Sequence, residues 1–250
     1  MVHSARRAVI SVGGPALLLV VLVGCATTQD EAARLQLNSA RTRATQVSTR
    51  VTRTNPNITV QRVELLTGHR RSAIVVTLHN ESQHPVSDLP ISVGVTGHDG
   101  RKQYLNAASG LQYFLTHIPA VPAGGSLTWV FTTHRALASS SRPFALVGSE
   151  VPPLVPQLRV LPRIVAGAVG GVGRAHAVPE VRVVVHNASS IPQYGLQLYA
   201  FAQRSGRAVS AGRATIAHLA GQGTTTLNVA LVGSARLGPI TLEASPTVFG

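Results

Sequence analysis

Two stretches of this chain are copies of one another. "IVVTLHNESQHPVSDLPISV", from Ile74, aligns without a gap on "VRVVVHNASSIPQYGLQLYA", from Val181. His79 and Asn80 fall on His186 and Asn187, Ser82 on Ser189, Pro85 on Pro192 and Leu89 on Leu196. Further on, Leu127, Trp129 and Phe131 fall on Leu227, Val229 and Leu231, and "PFAL" from Pro143 falls on "PITL" from Pro239. The first copy is longer in its middle, around "QYLNAASGLQYFLTHIPAVPAGG". Self-similarity at this period means that one structural unit is built twice. The expected modules are residues 57–153 and 158–250, split near "VPPLVPQ" at 151–157.

Each copy is written with a period of two. Ile74, Val76 and Leu78 alternate with Val75, Thr77 and His79; Val181, Val183 and Val185 alternate with Arg182, Val184 and His186. Leu89, Ile91, Val93 and Val95 form the next run, matched by Leu196, Leu198, Ala200 and Ala202. Alternation over this length predicts strands with one face buried. A supply of 23 glycines and 15 prolines provides the turns between them. Six or seven strands per copy, with no strong helix, predict an all-β chain of two small antiparallel β-sandwiches. Between paired runs sits Asn-x-Ser followed by proline, at Asn80 and Asn187, where the Asn side chain is expected to bond local backbone and close the loop.

The order V-x-V-x-N-x-S, a proline, an L-x-V-x-V strand, a glycine turn and a last aliphatic strand resembles bacterial immunoglobulin-like or fibronectin-like envelope modules, of the CARDB-like or FxLYD-like type. That resemblance covers most of residues 57–250. It implies tandem Ig-like domains that bind, scaffold or display and do not catalyse.

Ahead of the repeats, residues 1–7 are short and positive, with Arg6 and Arg7, and residues 8–24 are apolar and uncharged. These are the two regions of an export signal. The apolar run is marginal against the roughly 20 residues that a permanent span needs. Arginines before it keep the N-terminus in the cytoplasm and deliver the remainder outside. Leu22-Val23-Gly24-Cys25 resembles the bacterial lipobox, and Cys25 is the chain's one cysteine. The resemblance implies a diacylglycerol thioether on Cys25 and signal cleavage between Gly24 and Cys25. Two acyl chains anchor stably where one does not, at about 0.8 kcal/mol per buried methylene. Residues 1–24 are thus expected as a lipoprotein signal peptide and residues 25–56 as a partly helical tether. The body would sit at the extracytoplasmic face of the cell membrane.

The charge is strongly basic, with 22 Lys and Arg against 9 Asp and Glu. The arginines are scattered from Arg34 to Arg236 without the clustered stripe of a nucleic-acid binder, so no nucleic-acid partner is expected. Anionic lipid, an acidic wall polymer and an unidentified protein are the expected partners beside the membrane itself. No HExxH or two-histidine metal spacing occurs, and the repeated His79 and His186 fall opposite the apolar set, which predicts surface histidines. "GAVGGVG", at 167–173, lacks the order and the Lys-Ser/Thr of a phosphate loop. Neither G-x-S-x-G nor a grouped acid and base is present, so no catalytic residue, metal or cofactor is expected. Tyr199 and Phe201 alternate with Leu196, Leu198 and Ala200, so two aromatics occupy a face that should be wet. They mark a surface for the other module or a partner, unless their own module covers both faces. The expected role is a lipid-anchored, non-catalytic binding or scaffolding protein of the envelope. An enzyme or enzyme accessory subunit acting on envelope polymers is the first alternative, and a solute-binding component of a transporter the second. A cleft lined by grouped polar residues between the modules would favour the first.

Overall fold

A computed structural model describes residues 50–149, 160–170, 173–175, 178–234 and 238–247. The expected signal peptide, Leu22, Val23, Gly24 and Cys25, the helical part of the tether and the split at 151–157 lie outside the described residues. Within them the chain is all β apart from one 3-10 turn at Tyr113–Leu115. The first half forms β1 (Ile58–Thr67), β2 (Ser72–Asn80), β3 (Val86–Thr96) and β4 (Lys102–Tyr104), then β5 (His117–Val121), β6 (Ser126–Thr133) and β7 (Arg142–Val147). The second forms β8 (Ile164–Ala168), β9 (Gly173–Ala175), β10 (Val178–Asn187) and β11 (Gln193–Arg204), then β12 (Arg207–Leu219), β13 (Thr224–Gly233) and β14 (Ile240–Ser245).

Every strand pairing described is antiparallel. In the first half, β1-β2-β6 make one sheet, and β3 gathers β4, β5 and β7 into a second. In the second half the order is β14-β11-β12-β13-β10-β8, with β9 also on β10. Only three residue pairs join β12 to β13, from Ser210↔Gly233 to Gly212↔Leu231. A Cβ at Gly212 would lie 2.1 Å from the Ala230 carbonyl oxygen, so the two backbones can cross there only at a glycine.

The alternation decides which side chains go inward. Ile74, Val76 and Leu78 stand opposite Phe131, Trp129 and Leu127 across β2 and β6, and join Leu89, Ile91, Val93 and Ile118 in one apolar cluster. In the second half Val181, Val183 and Val185 of β10 close on Leu196, Leu198 and Ala200 of β11 and on Val229 and Leu231 of β13. These buried methyl and ring groups are the main favourable contribution to folding.

The repeated Asn-x-Ser is the same structure twice. Asn80 and Asn187 are both fully buried. Asn80 Nδ2 donates to the carbonyls of His84 and Pro122 at 2.8 and 3.0 Å; Asn187 Nδ2 donates to those of Ile191 and Ala220 at 2.8 and 3.1 Å. Each Oδ1 accepts from the backbone N–H and hydroxyl of the serine two residues on. A buried amide that uses both ends stitches the β2–β3 or β10–β11 loop to the turn before β6 or β13.

Two sequence expectations need correction. His79 pairs with Ser126 and His186 with Thr224, while Val76 pairs with Trp129 and Val183 with Leu227. Trp129 is therefore equivalent to Leu227, two residues away from Val229. A slip of two leaves every side chain on its face, so the apolar pattern is blind to it. The second correction concerns β2, whose Ala73 and Val75 are as buried as Ile74 and Val76. Alternation predicts one buried face; this central strand is covered on both because the second half lies across it.

The last residues ahead of β1 already belong to the body. Val51 N–H donates to Ser92 Oγ at 2.8 Å, Thr54 bridges Gly148, and Asn55 N–H donates to the Val147 carbonyl at 2.9 Å. At "NPN", Asn55 Oδ1 accepts from the Asn57 N–H at 2.9 Å and sets the turn into β1.

Candidate functional site: a groove at the seam of the two halves

The seam is built from the outer faces of β1-β2-β6 and β14-β11-β12. Tyr199 and Phe201 are both buried, in the same cluster as Val75 and Val130 of the first half. Ala208, Ala211 and Val232 join them there. The two aromatics therefore cover the neighbouring half, and neither is open to an outside partner. Their equivalents on β3 are Ser92 and Gly94. Ser92 holds the entering chain, and Gly94 leaves room for the Phe144 ring, whose edge would stand 2.6 Å from an added Cβ. Small residues there and aromatics here follow from what each sheet has to meet.

Polar groups tie the seam at several points. Ser245 Oγ accepts from Ala120 N–H at 3.1 Å and donates to the Ala120 carbonyl at 2.9 Å. Thr128 N–H donates to Glu243 Oε2 at 2.6 Å, and Ala208 N–H donates to Glu64 Oε2 at 3.0 Å. Across the strands, Tyr199 stands between Arg213 on β12 and Glu243 on β14. Burial pushes the Glu243 carboxyl above the ordinary carboxylate range, although the Thr128 hydrogen bonds pull the other way. The Tyr199 hydroxyl, buried without a hydrogen-bond partner, is pushed well above the phenol range, again by burial first.

At one edge the seam opens into a groove. Its first-half wall is the segment between β4 and β5, which includes the 3-10 turn, together with the end of β6. Its second-half wall is β11 and β12. One lobe, of 260 Å³, lies between Gln112, Tyr113 and Phe114 on one side and Gly195, Gln197 and Thr215 on the other. The adjoining lobe, of 680 Å³, is lined by Gly110, Leu111 and Gln112, by Thr132, Thr133 and His134, and by Arg213 and Thr215. Volumes of this size suit a small molecule or one unit of a polymer.

The walls are held firmly. Asn106, almost fully buried, donates to the carbonyls of Ile91 and Leu115 at 2.7 and 3.0 Å and accepts from Val93 N–H at 2.9 Å. Tyr113 donates its hydroxyl proton to Asp88 and stacks on the His117 ring with centroids 4.0 Å apart. Opposite, the Gln197 amide donates to the Gly195 carbonyl at 2.6 Å. That fixes its oxygen toward Arg213 Nη2 and the Thr215 hydroxyl. Arg213 Nη1 also reaches the Phe114 carbonyl at 3.5 Å. Burial lowers the Arg213 pKa.

No family model matches this chain, and no curated protein matches it. Solved structures detected by shape include red sea bream transglutaminase, at 11% identity and a TM-score of 0.20 over 74% of this chain and 29% of that one. They also include the Amycolatopsis orientalis exo-chitosanase CsxA, at 17% identity and a TM-score of 0.25 over 74% and 26%. A third is the C-terminal globular domain of the Pyrococcus abyssi oligosaccharyltransferase, at 9% identity and a TM-score of 0.23 over 75% and 46%. The chain spans less than half the length of each.

Of the residues singled out in the sequence, the structure brings Tyr199 and Phe201 to the seam and leaves His79 and His186 partly exposed. The histidines answer each other in the two halves: His79 Nδ1 lies 3.1 Å from Ser126 Oγ, and His186 Nδ1 lies 3.0 Å from Thr224 Oγ1. Each histidine pins the corresponding end of its own ladder, β2–β6 in the first half and β10–β13 in the second. Among the described residues no group of three or more His, Cys, Asp or Glu side chains is placed to hold a metal ion. The groove residues Gln112, Thr132, Gln197, Arg213 and Thr215 carry no motif. Only Gln112 had a signal, since it lies in the longer middle of the first copy, the segment that forms the groove's first-half wall.

Proposed function

We propose that this chain is a lipid-anchored envelope protein whose β body binds a polar ligand in the seam groove, without catalysis. The observation that carries the reading is the groove itself. It lies where two repeat copies meet, on hydrogen-bonded strands, and its lining sets amide, hydroxyl and guanidinium groups, which bind and orient, among apolar side chains such as Leu105, Leu115 and Phe131. Each half reads as an Ig-like β-sandwich module, with the inserted segment of the first as the feature added for recognition. Cys25 is the attachment point, with Leu22, Val23 and Gly24 as the rest of its processing signal. The scattered positive charge supports a salt-sensitive attraction to anionic lipid or wall polymer.

The grouped polar residues also favour a second reading, an accessory subunit that presents an envelope polymer to an enzyme. In that case proximity labelling in the native cell would recover a polymer-acting enzyme. For the primary reading, Cys25→Ser is expected to leave an unprocessed precursor that takes up no fatty-acid probe. Normal processing and labelling of that variant would remove the anchor from the account.

A further inference from the structure

The groove contains a guanidinium with no acid to answer it. Arg213 is hydrogen-bonded to the Gln197 side-chain oxygen and the Phe114 carbonyl, both neutral. Among the described residues its ion pairs include none: the pairs formed are His79–Glu81, Arg101–Asp99 and Arg207–Glu64. Glu243 lies on the far side of Tyr199, bonded to Thr128. A partly buried charge held by neutral groups alone is costly unless a counter-charge comes to it. Two of the five guanidinium N–H donors have protein acceptors, and Arg213 lines the groove. Its fork is held in place by Gln197, itself fixed by the Gly195 carbonyl, so the site is formed before any ligand arrives.

We infer that the groove takes a carboxylate-bearing ligand, with its carboxylate on Arg213 and its neutral hydroxyl or amide groups on Thr132, Thr133, Thr215 and Gln112. This rests on the reading of the groove as a binding site and names the chemistry of what it binds. A planar carboxylate matches the guanidinium fork in two parallel hydrogen bonds. It is also a monoanion and balances one cation, whereas a phosphate monoester at neutral pH carries about −1.5 to −2. The groove lining supplies a single guanidinium, which one carboxylate pairs in full.

The test uses the full-length chain in neutral detergent at low salt, with binding measured by equilibrium dialysis. The probes are glucuronate, its neutral counterpart glucose, and inorganic phosphate. Glucuronate is expected to bind at least tenfold more tightly than either of the others, and Arg213→Met to abolish that preference. Arg213→Lys, which keeps the charge but not the fork, is expected to retain part of it. Amide exchange at Val183, Leu198 and Leu231, in the core of the second half, reports that each variant is folded around the site. Equal binding of glucuronate and glucose overturns the inference while leaving a polar binding groove. So does tighter binding of phosphate, or glucuronate binding that Arg213→Met leaves unchanged. If none of the three probes binds, the carboxylate inference falls. The anchored-protein reading stands or falls separately, on the labelling of Cys25.

Discussion

At the residue scale, the seam shows how burial and hydrogen bonding compete over one carboxyl. Glu243 accepts the Thr128 N–H and yet has its pKa raised, because leaving water costs its charged form more than that bond returns. The sign for stability follows. The folded protein holds this proton more tightly than the unfolded chain, whose carboxyl titrates near 4.5. Stability from this group is therefore full below that pH and is lost as pH rises through the higher folded pKa. Glu243→Gln keeps an oxygen for Thr128 and removes the titration. In urea unfolding from pH 4 to 7, the variant is expected to gain on the parent as pH rises. A constant difference across the range would contradict this account of the seam. The Asn80 and Asn187 amides are the opposite case, polar groups fully buried with their bonds satisfied. Their role was legible in the sequence because Asn-x-Ser recurs at matching places and its chemistry is local. That of Arg213 and Gln197 was not, because strand register decides that they meet and Arg213 reaches across to Phe114, far away in the chain.

At the scale of strands, alternation located the β2, β3, β10 and β11 runs and told which side chains share a face. It could not set register between strands, since a slip of two preserves the pattern; hence the displaced match of Trp129. Nor could it reveal that β2 is covered on both sides, because Val75 and Thr77 read as a mixed face until the second half is laid on it. The β12–β13 crossing is likewise silent in sequence: Gly212 looks like any strand glycine. Its substitution by alanine is expected to cost about 1–3 kcal/mol or more in chemical unfolding, as overpacking against the Ala230 carbonyl. A cost within a few tenths of a kcal/mol would mean that the two backbones can part there freely.

At the scale of the molecule, the two repeat stretches share their buried Asn-x-Ser loop and strand alternation, and their differences shape the seam. Tyr199 and Phe201 replace the small residues of the first copy and become the second half's contribution to a shared core. The longer middle of the first copy becomes a wall of the groove. Both differences were visible as departures from the repeat, but what they face depends on how the halves dock, which strand patterns do not encode. With Tyr199 and Phe201 buried in the first half's cluster, the seam is part of the folded core and not a loose contact. Urea unfolding tests this directly, read at two places on one sample. Trp129 fluorescence follows the first half, and amide exchange at Val183, Leu198 and Leu231 follows the second. Coincident midpoints, moved together by Phe201→Ala, are the predicted result. Two separated transitions, with Phe201→Ala shifting only the second, would contradict it.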